Sequence, residues 1–196
     1  MLKKLISMLL LPTLCLANDD NPDVPAELRG FVEANTSLLA YAGADLNGDG
    51  LSDYVFILER QKTNDADPEI ETGQRPLKIA LRQADNSLKI VKTNDRIVFC
   101  STCGGVFGDP FAELSATAKS FSVSHYGGSN WRWTNNFQFN YSRRDDTWQL
   151  VRVEESSFHT SDPETAKTLT YKPPKDFGKI DIADFDPENF KGEGRK

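Results

Sequence analysis

At residues 45–58 the chain reads Asp45-Leu46-Asn47-Gly48-Asp49-Gly50-Leu51-Ser52-Asp53-Tyr54-Val55-Phe56-Ile57-Leu58, a polar loop that runs directly into an apolar segment. Oxygen-bearing side chains occupy loop positions 1, 3, 5 and 9, and the glycines at positions 4 and 6 permit the positive φ of tight turns. This spacing predicts a Ca²⁺ site. Its ligands are the side chains of Asp45, Asn47, Asp49 and Asp53 and the carbonyl oxygen of Leu51. The β-branched and aromatic run after the loop predicts a strand.

A metal-free turn is the alternative interpretation of this loop, because Asp, Asn and Gly are common in turns. Three carboxylates within nine residues would then repel one another, which favours a bound cation. An EF-hand loop needs Glu at position 12, where this chain has Phe56. The pattern Asp-x-Asn-x-Asp-Gly-x-x-Asp resembles instead the calcium-binding loop of FG-GAP/VCBS-type repeats. The resemblance covers residues 40–58, and a single copy does not imply a propeller.

The first 17 residues have the pattern of an export signal. Lys3 and Lys4 precede an apolar segment over residues 5–16, and Cys15 and Ala17 are the small residues before the expected cleavage site. This segment is too short to span a bilayer. We therefore expect residues 18–24 to form a flexible leader and residues 25–196 a single β-rich domain in the periplasm or outside the cell. A lipoprotein anchored at Cys15 is the less favoured alternative, because Leu14 stands where a small residue is expected.

Charge narrows the range of partners. Cleavage after residue 17 removes Lys3 and Lys4 and leaves 21 basic and 29 acidic residues, a net charge of −8. Nucleic acids and anionic membrane surfaces attract clustered Lys and Arg, so neither is an expected partner. No later segment is long and apolar enough to cross a membrane.

The pattern of apolar residues predicts a mainly β fold, an antiparallel sandwich or partly open barrel with one short N-terminal helix over residues 25–34. Residues 61–75 are polar and predict a surface loop. The tail from residue 160 predicts an irregular arm with one short strand near residues 169–171. The predicted strands are 37–44, 54–60, 77–84, 88–93, 96–100, 113–118, 121–126, 131–141 and 148–155. Their short spacing favours antiparallel meanders over βαβ units.

The two cysteines that remain after cleavage, Cys100 and Cys103, form a Cys-x-x-Cys motif. An even pair in an exported chain favours a structural disulfide. A thioredoxin-like redox pair should open a helix, whereas Gly104-Gly105 follow here, and zinc would need a second pair of ligands. The glycine-rich loop over residues 104–111 lacks the Lys-Ser/Thr ending of a phosphate-binding loop, although it could border a pocket.

Aromatic side chains around residues 125–148 are the candidate binding surface. On a strand beginning near Ser129, Trp131 and Trp133 share one face and Arg132 points to the other. Together with Tyr126 they could stack on a glycan or anchor a protein, whereas the competing interpretation is an aromatic core. Residues 103–111 and 127–133 resemble a family of exported bacterial proteins without a known activity, so this resemblance implies none.

No complete catalytic motif is evident in the sequence. His125 and His159 are the only histidines, and there is no Gly-x-Ser-x-Gly elbow around any serine. We therefore expect a calcium-binding, non-enzymatic interaction module of the cell envelope whose partner is an envelope protein or a glycan. The alternatives are an envelope hydrolase that uses His125 with nearby carboxylates, and a redox protein that uses the Cys-x-x-Cys motif.

Overall fold

The structure, a computed structural model, describes residues 24–60 and 75–192, and these form two antiparallel β-sheets. The first sheet has the order β1-β2-β3-β4: β1 (Thr36–Ala44), β2 (Asp53–Arg60), β3 (Arg75–Arg82) and β4 (Leu88–Val98). The second has the order β5-β6-β7-β8-β9: β5 (Phe111–Thr117), β6 (Ser120–Gly128), β7 (Trp131–Ser142), β8 (Thr147–His159) and β9 (Asp162–Tyr171). The predicted mainly β, antiparallel sandwich is confirmed.

One apolar core lies between the inner faces of the two sheets. Burial alternates along β6, where Phe121, Val123 and His125 face inward. This period of two is the pattern expected of a strand with one covered face. The first sheet contributes to this core the residues Val55, Ile57, Leu77 and Ile79. The second sheet contributes Phe121, Val123, Phe137, Phe139, Leu150 and Val153. Side chains of both sheets therefore interdigitate in the manner of a sandwich.

The predicted N-terminal helix is not confirmed. Over residues 24–34 the only helical element is a three-residue 3-10 helix, Arg29–Phe31. A segment this short cannot offset the cost of nucleating an α-helix, and Gly30 lies in its middle. Leu28 is nevertheless fully buried, and the Phe31 ring lies 6.0 Å from that of Phe56, so packing on β2 fixes the segment. The predicted signal peptide and residues 18–23 of the leader lie outside the described residues.

The C-terminal part is more regular than expected. In place of a short strand near 169–171, β9 extends over ten residues. The arm that follows pairs with the start of β8, where Ile182 N donates to Trp148 O and Leu150 N to Ile180 O, both at 2.9 Å. In the described part of the chain, no helix has the length and apolarity needed to span a bilayer.

The edges of the two sheets differ in how they are covered. The end strands β1 and β5 lie beside each other. The C-terminal arm lies along β4, where Asn94 Nδ2 donates to the carbonyl oxygens of Ile182 at 2.6 Å and Phe185 at 2.9 Å. By contrast, β9 pairs with β8 on one side only, and its residues 162–170 are all exposed. Within residues 24–60 and 75–192, the outer side of β9 is thus the uncovered edge.

Candidate functional site

Asp45 closes the polar loop by accepting backbone hydrogen bonds. Its Oδ1 accepts from the N–H groups of Gly48 at 2.6 Å and Asp49 at 3.2 Å, and its Oδ2 accepts from Gly50 at 3.0 Å. Gly48 has φ 80° and Gly50 has φ 89°, which explains glycine at these two loop positions. The predicted tight turns are therefore present.

Asp53 ties the end of the loop to its surroundings. Its fully buried carboxylate accepts from Leu46 N at 2.8 Å and from Arg82 N at 2.9 Å. Burial raises the pKa of Asp53, the two backbone hydrogen bonds oppose that rise, and the nearby carboxylates of Asp49 and Asp45 add to it. Three negative charges thus interact in one loop.

Hydrogen bonds within the loop engage the predicted ligand side chains. The described residues contain no group of three His, Cys, Asp or Glu side chains placed to hold a metal ion. Asn47 Nδ2 instead donates to Asp49 Oδ2 at 2.9 Å, and Leu51 N donates to Asp49 Oδ1 at 2.8 Å. The predicted ligands Asp45, Asn47, Asp49 and Asp53 therefore share one loop, in which Asn47 and Asp49 are bonded to each other.

The same loop connects the two sheets. Lys119, in the β5–β6 turn, donates its backbone N–H to Asp45 O at 2.8 Å, and its side chain crosses Gly48. A Cβ on Gly48 would lie 2.0 Å from Lys119 Cε, so a larger residue would require the lysine side chain to move. Leu46 is fully buried in the core between the sheets. The loop is thus a structural junction whatever it binds.

Cys100 and Cys103 form the predicted disulfide, with a Cα–Cα distance of 5.2 Å. The glycine-rich loop that follows folds back on itself, since Gly104 N donates to Gly108 O at 2.7 Å. It also holds the end of β6, where Gly128 N donates to Gly104 O at 2.9 Å. Bonded to each other, these cysteines present no thiolate to zinc.

Arg75 is the buried charge that sequence reasoning missed, because it was assigned to the surface loop 61–75. Its guanidinium binds Asp109 through two hydrogen bonds of 2.7 and 2.6 Å and Glu59 through two of 3.2 and 2.6 Å, and its side chain is 1% exposed. The Arg75 guanidinium holds the pKa of Asp109 below its ordinary value. The only signal in the sequence is its position directly before the apolar run of β3.

His125 is buried in an aromatic environment. Its ring stacks on Phe99 with centroids 4.3 Å apart, and its Nε2 accepts from the Phe99 N–H at 3.3 Å. Burial, with Arg75 as a second cause, lowers its pKa from 6.5 to about 4. Its Nδ1 finds no hydrogen-bond partner in the described part of the chain. His125 is therefore a neutral interior residue at pH 7.

The groups considered for hydrolysis are not assembled around His125. Ser124 lies on the opposite strand face, where its Oγ accepts from Asn136 Nδ2 at 2.6 Å. Asp109 is engaged by Arg75. His159 has a serine partner, Ser161 Oγ at 2.7 Å from Nδ1, but this contact spans two residues at the exposed β8–β9 turn.

The predicted aromatic band is divided between the two faces of its sheet. Trp131 and Trp133 share the inner face, as predicted, whereas Tyr126 lies on the outer face, 5.3 Å from the Phe107 ring. Trp133 packs on Gly127, where a Cβ would lie 2.5 Å from its Cζ2. Trp131 is 64% exposed. Trp131, Trp133 and Tyr126 therefore form neither a shared aromatic core nor one continuous binding surface.

A cleft opens where the inner face of the second sheet extends past the core. One row of residues paired across β6 to β9 is buried: Val123, Phe137, Val153 and Tyr171. In the next two rows on this face, the side chains become more exposed from β6 toward β9. The resulting cleft has a volume of about 360 Å³. We call it the Trp133 cleft; its lining residues are Trp133, Asn135, Glu155, Ser156, Ser157, Lys167 and Leu169.

Comparison with protein-family models, with curated proteins and with solved structures finds no match to this chain. No relative therefore assigns a role to the Trp133 cleft, the polar loop or the buried Arg75. Their chemistry has to be argued from the contacts described above.

Proposed function

We propose that this chain is an exported, non-enzymatic interaction module that binds an extended segment of a partner protein. The partner segment adds as a strand to the uncovered edge of β9 and places side chains in the Trp133 cleft. The observation that carries the proposal is the position of this cleft directly beside the uncovered edge.

The edge supplies the backbone part of the interaction. An unpaired strand edge presents a row of N–H and C=O groups, which bind an incoming strand. Pro163 and the flanking charges of Asp162 and Glu164 limit pairing near the β8–β9 turn. The part of β9 from Thr165 to Thr170 is thereby favoured as the docking segment.

The cleft supplies the side-chain part. Lys167 and Leu169 belong to β9 itself, so alternate residues of an added strand lie over the cleft. Leu169, 46% exposed, is an apolar contact in the cleft. Trp131, 64% exposed, lies on the same sheet face beside the cleft, and Trp is enriched in binding hot spots. Lys167 favours an acidic residue in the partner. An extended peptide that alternates apolar and acidic residues on one face fits this surface.

Several observations favour this function over the alternatives. A glycan could stack on Trp133, but it would leave the backbone groups of the β9 edge unpaired. The buried, neutral His125 supports an interaction module more than a hydrolase. The disulfide supports export, because such bonds persist in oxidising compartments.

Calcium is a second part of the proposal and rests on the resemblance to FG-GAP/VCBS-type loops. Binding requires Asn47 and Asp49 to exchange their mutual hydrogen bond for the ion. The repulsion among Asp45, Asp49 and Asp53 supports a site for a cation. Because Asp45 already closes the loop, the ion would reinforce the junction between the sheets.

Selection of displayed peptides tests the main proposal. Random peptides of about ten residues, the length of a long strand, are selected on the immobilised protein. Enriched peptides should bind at least about tenfold more weakly to a Trp131→Ala/Leu169→Ala variant, since each lost anchor weakens binding. The Tyr41→Ala variant is the matched control, because Tyr41 is an exposed aromatic residue on the other sheet.

The backbone contribution is tested with the same peptides. Methylation of alternate peptide nitrogens should abolish binding, because it removes the donors that pair with β9. Enriched peptides that tolerate methylation, or the absence of enrichment, would overturn strand addition. If the protein co-sediments with peptidoglycan or chitin and Trp131→Ala does not, the partner is a glycan and not a protein.

A further inference from the structure

The outer face of the second sheet carries a separate polar pocket, on the side opposite the Trp133 cleft. Ser122, Gln138 and Arg152 face each other in register across β6, β7 and β8. Asn136 and Glu154 form the adjacent pair. With the β5–β6 hairpin as a wall, these side chains enclose about 300 Å³. We call it the outer-face pocket; its volume is at the lower end of the range for small-ligand sites.

Arg152 leaves one donor unsatisfied at this pocket. Its terminal nitrogen pairs with Glu154 Oε1 on the same strand. Its Nε, however, is buried and finds no hydrogen-bond partner among residues 24–60 and 75–192. A buried donor without an acceptor costs free energy. The Arg152 side chain as a whole is 40% exposed, so its remaining terminal N–H groups can donate to a ligand in the pocket.

The other groups of the pocket offer both hydrogen-bond donors and acceptors. Asn136 Nδ2 donates to Ser124 Oγ at 2.6 Å and Gln138 Nε2 donates to Ser120 Oγ at 3.3 Å. Each amide nitrogen carries a second N–H, so both side chains offer a ligand a donor as well as an acceptor oxygen. The Glu154 carboxylate is an additional acceptor. The Ser115 and Ser122 hydroxyls, 2.9 Å apart, bond each other and leave one O–H as a donor.

This set of groups selects a ligand that donates and accepts at once. An anion only accepts, and it would meet the Glu154 carboxylate beside Arg152. A cation would be repelled by the Arg152 guanidinium beside Glu154. Hydroxyl groups both donate and accept, and the paired charges of Arg152 and Glu154 suit a neutral molecule. We infer that the outer-face pocket binds a neutral sugar unit through its hydroxyl groups.

Saturation-transfer NMR with glucose, galactose, mannose and N-acetylglucosamine tests this inference. At least one sugar should receive saturation from the wild-type protein. Arg152→Met keeps the apolar stem and removes the donors, so affinity for that sugar should fall by about tenfold or more. Gln138→Leu should also weaken binding. Arg96→Met is the matched control, an exposed arginine on the other sheet that should leave binding unchanged.

The outcomes separate this site from the proposed peptide site. Trp131→Ala/Leu169→Ala, which impairs the Trp133 cleft, should leave sugar binding intact. Absence of saturation transfer to all four sugars overturns the inference. So does sugar binding that persists in both Arg152→Met and Gln138→Leu, or competition of the sugar by inorganic phosphate, which would indicate an anion site.

Discussion

The indole Nε1 of Trp148 donates a hydrogen bond of 3.1 Å to the carbonyl oxygen of Leu46, 102 residues earlier in the chain. Trp148 lies in the buried first part of β8, and Leu46 lies in the polar loop before β2. This bond joins the loop of one sheet to the core of the other. It makes the predicted calcium loop part of the structural framework.

Trp148→Phe should therefore destabilise the protein by about 1–3 kcal/mol, because it leaves the buried Leu46 carbonyl without its donor. Urea unfolding followed by circular dichroism measures the loss. Trp131→Phe, at an exposed position, should change stability by no more than about 0.5 kcal/mol. Equal effects of the two substitutions would contradict the role assigned to the Leu46 contact.

Asp109→Asn should reduce the free energy of unfolding by about 3 kcal/mol, because it removes one of the two carboxylate charges that pair with the buried Arg75 guanidinium. Arg75→Met combined with Asp109→Asn should cost less than the sum of the two single changes. Urea unfolding of the two single variants and the double variant gives the free energies of this double-mutant cycle. Glu33→Gln, at the exposed pair with Lys78, should cost less. Additive losses would indicate that Arg75 and Asp109 act independently.

His125 predicts a loss of stability in mild acid. Its pKa falls from 6.5 to about 4 on folding, so between these values the unfolded chain binds the extra proton. The stability that neutral His125 contributes is present above pH 6.5 and is lost as the pH falls toward 4, a total of about 3 kcal/mol.

Urea unfolding between pH 7 and pH 4 should therefore show a shallower pH dependence for His125→Gln, which keeps an acceptor for the Phe99 N–H. His159→Gln is the control and should follow the wild-type curve, because His159 lies at the exposed β8–β9 turn. An unchanged slope in His125→Gln would mean that the pKa of His125 does not change on folding.

Gly127→Ala tests how the Trp133 ring is packed against β6. The added methyl would lie 2.5 Å from Trp133 Cζ2, so the indole must move, at a cost of about 1–3 kcal/mol. Tryptophan fluorescence and urea unfolding should both change. Gly30→Ala, where no atom lies within 4 Å of the new methyl, should leave the fluorescence unchanged. An unaltered spectrum in Gly127→Ala would show that Trp133 does not depend on this glycine.

Calcium at the polar loop predicts a rise in thermal stability. At a free concentration of 100 times Kd, binding adds about 2.7 kcal/mol, or several degrees in Tm. Melting in EDTA and then in millimolar CaCl2 measures the shift. Asp49→Ala should abolish it and alter the melting in EDTA little, because Asp49 is exposed. If the melting temperature of the wild-type protein does not shift, the loop does not bind calcium and is closed by its own hydrogen bonds alone.

Local features of the structure could be predicted because their causes lie within a few residues of each other. The alternation of apolar residues identifies β6, and the segment 143–146 marks the turn between β7 and β8. The disulfide follows from cysteines three positions apart, and the tight polar loop follows from its glycines and Asp45. The antiparallel pairing of successive strands and the shared face of Trp131 and Trp133 likewise follow from residues that are close in the sequence.

Only the tertiary structure decided how these elements are covered. Burial of Arg75 depends on Asp109, 34 residues away, and exposure of Trp131 depends on where the first sheet ends. The N-terminal helix was wrongly expected because packing on β2, and not local propensity, fixes residues 24–34. The full length of β9 and its uncovered edge follow from pairing with β8. The sequence by itself therefore determined the strands, the turns and the disulfide, whereas long-range packing determined which of their faces and edges are free to bind.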